Sequence, residues 1–124
     1  MSHRLEPSGD RPCHDPNEVA LRLCEEFAYC DVDAEQGKDD VGDMIAKLIE
    51  LNAPQFIIDD AMAGREQSLR ITVADDTTSE DYLSFLVRPN EALLIGYRSG
   101  QHEAATRLLV ERCARALDYE IFLV

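Results

Sequence analysis

The spacing of the apolar residues changes near Gly64, and this change limits the possible folds more than any other feature of the sequence. Before Gly64 the apolar residues recur every three or four positions, which is the period of a helix with one buried face. From Leu69 onward they alternate with polar residues, which is the period of a strand with one buried face. Helical and strand periods in separate stretches predict an α+β fold.

Two helices are predicted in the first part of the chain. Asp15-Pro16 joins a helix-capping residue to a proline suited to the first turn, and the spacing that follows predicts a helix over residues 16–30. Residues 31–43 are polar and predict a loop. A second helix follows, capped by Asp39 or Asp40. Its apolar stripe consists of Val41, Met44, Ile45, Leu48, Ile49 and Leu51.

Residues 54–63 fit two structures. Pro54 and Gly64 are placed as a first-turn proline and a C-terminal cap, which predicts a short third helix. The apolar run Phe56-Ile57-Ile58 taken alone predicts a buried strand. The length of the segment and its matched caps favour the helix.

Three strands are predicted after the change of period. Leu69–Val73 alternates strictly between apolar and polar residues. Residues 82–88 and 92–98 are two further apolar runs separated by a segment with Pro89-Asn90 in its central positions, which predicts a hairpin.

A last helix and a last strand complete the predicted fold. The helix opens at Ser99-Gly100, and its core face consists of Ala105, Leu108, Leu109, Cys113, Ala116 and Leu117. Residues 119–124, with the unbroken apolar run at 121–124, predict a buried strand. The expected order is therefore α-α-(α)-β-β-β-α-β, with two or three N-terminal helices followed by a mainly antiparallel four-stranded sheet and one packed helix. Residues 1–15 are rich in proline, glycine, serine and charge and predict a disordered tail, which leaves 16–124 as a single α+β domain.

The chain is strongly acidic, and the acidity is concentrated in one region. It carries 25 acidic and 12 basic residues, a formal net charge of −13. Residues 17–60 alone hold twelve acids and three bases, a net of −9. Such a field repels phosphate backbones and anionic lipid surfaces, so we expect no nucleic-acid or membrane partner. It attracts a basic protein partner.

No apolar segment at the amino terminus has the form of an export signal, and no stretch approaches the ~18 apolar residues of a membrane span. We therefore expect a cytoplasmic protein with reduced cysteines. Cys24 and Cys113 fall on apolar helix faces and are expected in the core, whereas Cys13 is expected to be exposed in the tail.

No metal, cofactor or catalytic residue is predicted. Asp31, Asp33 and Glu35 alternate as calcium ligands do, but the sixth position of that loop, which requires glycine, is Gln36. The cysteines lack the paired spacing of a zinc site, and the chain has neither a hydrolase serine elbow nor a phosphate-binding glycine loop.

These patterns favour a non-catalytic binding protein, such as an inhibitor, an immunity factor or a secretion-type chaperone, that meets a protein partner through an acidic helical face. The expected contact residues are Asp31, Asp33, Glu35, Asp39, Asp40 and Asp43. Two alternatives stay open. One is a small enzyme or small-molecule binder with a pocket where sheet and helices meet, near Asp59, Tyr97 or His102. The other is a homodimer formed by pairing an exposed sheet edge or the apolar C-terminal strand.

Overall fold

The computed structural model describes residues 2–97 and 102–124, which form six strands and four α-helices in the order β-α-β-α-α-β-β-β-α-β. The α+β class is as predicted. The predicted order is wrong, because a strand precedes the first helix and another separates the first helix from the second. The strands also form two antiparallel sheets of three instead of one sheet of four.

The strands are β1 (Ser2–Glu6), β2 (Tyr29–Asp33), β3 (Leu69–Ala74), β4 (Tyr82–Val87), β5 (Leu93–Gly96) and β6 (Glu120–Leu123). The helices are α1 (Pro16–Glu26), α2 (Ala34–Glu50), α3 (Gln55–Gly64) and α4 (Glu103–Leu117), and a 3-10 turn at Arg65–Gln67 follows α3. One sheet has the strand order β5-β1-β6 and the other has the order β2-β3-β4.

The amino-terminal segment forms the central strand of one sheet instead of the tail that its composition predicts. β1 pairs antiparallel with β5 on one side and with β6 on the other, so that Leu5 lies opposite both Leu93 and Ile121. The Leu5 side chain is fully buried. The segment carries only one large aliphatic residue, so its local sequence gives little sign of the pairing that orders it.

The first helix begins where predicted and ends early. Asp15 caps α1 by accepting a hydrogen bond from the backbone N–H of Glu18 at 2.9 Å, and Pro16 is the first helical residue. The helix ends at Glu26 instead of residue 30. β2 follows at once, because the chain there pairs along its length with β3.

The second helix starts inside the stretch predicted to be a loop. Asp33, and neither Asp39 nor Asp40, caps α2 by accepting a hydrogen bond from the backbone N–H of Gln36 at 2.9 Å. Gly37 is buried where α2 crosses the start of β3. Packing against the sheet therefore outweighs the low helix propensity of this polar segment.

The remaining elements follow the sequence more closely. Residues 55–64 are helical, as predicted, but the predicted caps are wrong: Pro54 is the N-cap residue, Gly64 is the last helical residue and Arg65 is the C-cap. β3 and β4 occupy the predicted positions. The turn at Pro89-Asn90 is present, with Asn90 in the left-handed region at φ 59°. β4 and β5 nevertheless belong to different sheets, so the predicted hairpin ladder between them is wrong. The predicted helix opening at Ser99-Gly100 lies outside the described residues.

One hydrophobic core joins both sheets to α1 and α4. Its fully buried side chains include Leu5, Leu23, Ile71, Leu83, Phe85, Ile95 and Leu117. α2 and α3 pack beside this core, over the smaller buried group Val41, Ile58 and Ala61. A membrane span requires a helix that is both long and apolar, and none of the described helices meets that requirement.

The C-terminal strand is not buried as predicted. β6 is an edge strand, and Leu123 is 73% exposed. The apolar run therefore does not reflect burial on both faces.

Candidate protein-binding surface

Five of the six predicted contact residues are exposed, and only Asp40 is partly buried. Glu35, Asp39 and Asp43 are exposed and four residues apart on α2, so their side chains share one outer face of the helix. We call these three residues the acidic stripe. Asp31 is also exposed but lies on β2, opposite Thr72 of β3. The fold thus places half of the predicted set on one exposed face of α2.

Two of the predicted residues, Asp33 and Asp40, have structural roles. Asp33 caps α2. Asp40 has a side chain only 17% exposed, and its Oδ2 atom lies 2.7 Å from Nε of Arg70 on β3. Gln36 also donates a hydrogen bond to Oδ1 of Asp40 at 2.9 Å. Asp40 therefore joins α2 to the sheet and is not available to a partner.

The acidic stripe keeps most of its charge uncompensated. Glu35 lies 3.8 Å from Nζ of Lys38, which also lies 3.4 Å from a carboxylate oxygen of Glu66. Within residues 2–97 and 102–124, Asp39 and Asp43 have no ion-pair partner. Two carboxylates one helical turn apart thus face solvent without a fixed counter-charge.

An apolar groove of about 440 Å³ opens on the neighbouring face of the same helix. It lies between α2, α3 and the turn that joins β4 to β5. Its apolar walls come from Met44, Leu48, Phe56, Ile57 and Ala61, and its polar lining consists of Asp60, Arg88 and Glu91. The apolar groove is therefore bordered by two further carboxylates and one guanidinium group.

The side chains around this groove are unusually exposed for their type. Phe56 is 72% exposed and Ile57, beside it in the lining of the groove, is 39% exposed. Single exposed apolar residues are common on protein surfaces, but a contiguous group of them marks a binding surface. At the end of α2, Ile49 and Leu51, which the sequence places on the apolar stripe of the second helix, are 58% and 65% exposed, so this part of the prediction is wrong.

A signal for the apolar groove is present in the sequence. The end of α2 and its C-cap residue carry five large apolar residues within the eight positions of 44–51, which is more than one contact face of a helix can hold. α3 is only 10 residues long against 17 for α2, so it cannot cover both flanks of its neighbour. The apolar surface of α2 is wider than the shorter α3 can cover, and this mismatch is the signal that could have predicted the groove.

A second cavity contains two of the residues expected near a catalytic or ligand pocket. It has a volume of about 400 Å³ and lies between β4, the end of β5 and the start of α4, with Tyr97 and His102 in its walls. Nδ1 of His102 lies 3.1 Å from Oδ1 of Asp81. The third residue, Asp59, lies elsewhere, on α3, where it accepts a hydrogen bond from Gln55 at 2.8 Å.

The cysteines occupy different environments from those predicted, except for one. Cys113 is buried as expected, and burial raises the pKa of its thiol to about 12. Cys24 is exposed, not buried, and Cys13 is half-buried, not exposed. Among residues 2–97 and 102–124, no group of three or more His, Cys, Asp or Glu side chains could hold a metal ion.

Comparison of the chain with protein-family models, with curated proteins and with solved structures finds no match. The function is therefore argued from the physical character of the surface alone.

Proposed function

We propose that the protein is a non-catalytic binding protein that holds a basic, amphipathic helical segment of another protein against α2 and α3. The proposal rests on one observation: an exposed apolar groove lies on the same helix as a stripe of uncompensated carboxylates. A surface of this kind is complementary to a helix with apolar residues on one side and lysine or arginine beside them. An inhibitor, an immunity factor or a secretion-type chaperone would each use such a surface.

We expect the apolar groove and the acidic stripe to contribute differently to binding. Full burial of an aromatic side chain such as Phe56 contributes about 1.5–3 kcal/mol, whereas an exposed ion pair contributes about 0–1 kcal/mol. The apolar groove therefore supplies most of the affinity and sets the dissociation rate. The acidic stripe attracts the partner over a distance and raises the association rate, so its effect falls as salt increases.

The binding test uses a fluorescently labelled peptide that forms a basic amphipathic helix, with leucine at every third and fourth position and lysine elsewhere. Fluorescence anisotropy gives the Kd. Phe56→Ser is expected to weaken binding about 10–30-fold at any salt concentration, because it removes the largest apolar contact. The double variant Asp39→Lys, Asp43→Lys is expected to weaken binding about 5–10-fold at low salt and little at high salt.

Matched variants distinguish binding at this site from nonspecific hydrophobic binding and from an effect of net charge. Met62→Ser changes another exposed apolar residue of α3, 57% exposed against 72% for Phe56, that does not line the apolar groove. Glu111→Lys, Glu120→Lys changes the net charge by the same amount on α4 and β6. Both controls are expected to bind as the unaltered protein does. The proposal fails if they lose as much affinity as the test variants, or if a peptide of scrambled sequence binds equally well.

The second cavity supports a second candidate function, the binding of a small polar molecule. The observation that favours it is the contact between His102 and Asp81 in a cavity that also contains Tyr97. A histidine beside a carboxylate can donate and accept hydrogen bonds in the same small space.

This second candidate is tested by screening a library of polar fragments with ¹H–¹⁵N correlation spectra. Fragments are expected to shift the signals of residues 80–84 and 102–106, and the Asp81→Asn variant is expected to weaken those fragments at least about threefold. Fragments that bind only in the apolar groove would reject the second candidate and would not affect the first.

A further inference from the structure

Two cysteines meet where α1 ends and β2 begins. Sγ of Cys24, in the last turn of α1, lies 2.7 Å from Sγ of Cys30 on β2. Cys24 is exposed and Cys30 is half-buried, and both are free thiols. The two sulfur atoms are thus already in contact, at a distance not far above the ~2.05 Å of a disulfide bond.

The chain between these cysteines is held in place by the core and by α4. Phe27 is 3% exposed. The guanidinium carbon of Arg112 lies 4.4 Å from the centre of the Phe27 ring, and the same guanidinium group pairs with Glu26 and with Asp75. Because this segment is fixed on both sides, the two thiols are held together before the reaction. Forming the bond therefore requires no large movement of the backbone.

We propose that Cys24 and Cys30 form a reversible intramolecular disulfide by exchange with a low-molecular-weight disulfide of the glutathione class. The site lies on α1 and β2, not on the elements that form the apolar groove, so it does not depend on the proposed binding function.

The exchange takes place in two steps. The thiolate of Cys24 attacks the small disulfide, which forms a mixed disulfide on Cys24 and releases one small thiolate. Cys30 then loses its proton and attacks the sulfur of Cys24, which forms the Cys24–Cys30 bond and releases the second small thiolate. The two thiolates take up the two protons lost by the cysteines. Two electrons pass from the protein thiols to the small disulfide, and an excess of the reduced small thiol reverses both steps.

The environments of the two thiols decide which one reacts first. Burial, together with the neighbouring Cys24, Cys113 and Asp31, raises the pKa of Cys30 to about 12. At neutral pH this leaves about 1,000-fold less thiolate than an ordinary cysteine has, and the higher nucleophilicity of a more basic thiolate restores only about 20-fold. Cys30 is therefore a poor first nucleophile, and the exposed Cys24 is the point of attack.

The disulfide also has a structural consequence. β2 is an edge strand of the sheet β2-β3-β4, and its last residue, Asp33, caps α2. A bond between Cys24 and Cys30 fastens this edge strand to α1. Closing a loop of this size is expected to raise the Tm of the oxidised protein by about 5–10 °C relative to the reduced protein.

The test uses the full chain with Cys13→Ser, which removes the half-buried cysteine near the amino terminus. The protein is equilibrated with oxidised glutathione, quenched with acid, alkylated in denaturant and digested with trypsin. Cleavage after Arg22 and Lys38 leaves both cysteines on one peptide, residues 23–38. We expect this peptide to lose two hydrogen atoms, to carry no alkyl group and no glutathione, and to return to the dithiol form in excess reduced glutathione.

Two further variants assign the roles. Cys30→Ser is expected to accumulate glutathione on Cys24, and Cys24→Ser is expected to react at Cys30 at least about tenfold more slowly, because burial of Cys30 persists in that variant. Neither variant is expected to show the rise in Tm on oxidation. A peptide 23–38 that stays reduced, a mixed disulfide that persists on Cys24 in the presence of Cys30, or a bond from Cys30 to Cys113 would each overturn the proposal.

Discussion

The Leu5→Ala variant is expected to lower the free energy of unfolding by about 3 kcal/mol, which corresponds to a fall in Tm of about 10 °C for a chain of this length. Leu5 is fully buried in the middle of the three-stranded sheet β5-β1-β6, between Leu93 and Ile121. Truncation removes its contacts with both neighbouring strands and leaves a cavity that the surrounding strands cannot fill. Equilibrium unfolding in urea, followed by circular dichroism, measures the change.

Arg4→Ala is the matched control for this prediction. Arg4 precedes Leu5 on the same strand but faces solvent, where its guanidinium group lies 5.3 Å from the centre of the Phe122 ring and 3.6 Å from Glu6. Its replacement is expected to cost less than about 1 kcal/mol. A disordered amino-terminal tail would make both substitutions neutral, so equal and small effects would contradict the position of β1.

Gly37→Ala is expected to lower the free energy of unfolding by about 2 kcal/mol, although alanine is the better helix former. A Cβ atom at this position would overlap the backbone oxygen of Ser68 and lie 2.7 Å from Cα of Leu69. The obstacle is backbone, so α2 would have to move away from β3. The cost of this movement exceeds the gain of about 1 kcal/mol in helix propensity. Thermal and urea unfolding of the purified variant check the sign.

Gly42→Ala, in the same helix, separates close packing from helix propensity. Its Cβ atom would meet only the Arg65 side chain, 2.9 Å from Nη2, and that flexible group can shift. We expect this variant to be as stable as the unaltered protein or more stable by up to about 1 kcal/mol. If residues 31–43 formed a loop, Gly37→Ala would have little effect, so similar results for the two glycines would contradict the early start of α2.

The sequence predicts best those elements whose own apolar spacing matches their burial. β3 alternates over Leu69, Ile71 and Val73, and all three side chains are buried in the structure. In α4, Leu109, Cys113 and Leu117 are buried as their spacing predicts, whereas Ala105 and Ala116 are partly buried and Leu108 is exposed. Where the spacing of the apolar residues agrees with the burial of their side chains, the element can be predicted without knowledge of the rest of the fold.

The failures have one physical cause, which is pairing between segments distant in sequence. β1 is ordered by strands that lie some 90 or more residues later in the chain, and β2 is ordered by β3. Neither partner can be identified from a short polar segment alone. For the same reason the sequence predicts β4 and β5 as one hairpin. In the structure the chain passes from one sheet to the other at the turn between these two strands.

The candidate site was predicted in part. The concentration of acid in residues 17–60 pointed to α2, and Glu35, Asp39 and Asp43 do share a face there. The same composition could not show that Asp40 is committed to Arg70, because their contact spans 30 residues. It also could not show that Phe56 would be exposed, because that depends on how much of α2 the shorter α3 covers.

The most direct test of the proposed function is to map where the basic amphipathic peptide binds, by ¹H–¹⁵N correlation spectra of the full chain. The apolar groove predicts that the largest shift changes fall on residues 44–61 and 88–91, and that Phe56→Ser needs about 10–30-fold more peptide to reach the same changes. Shift changes concentrated on residues 120–124 would place binding at the exposed edge strand β6, and changes spread evenly over the acidic surface would indicate attraction by charge alone. Either of these two results would contradict the account.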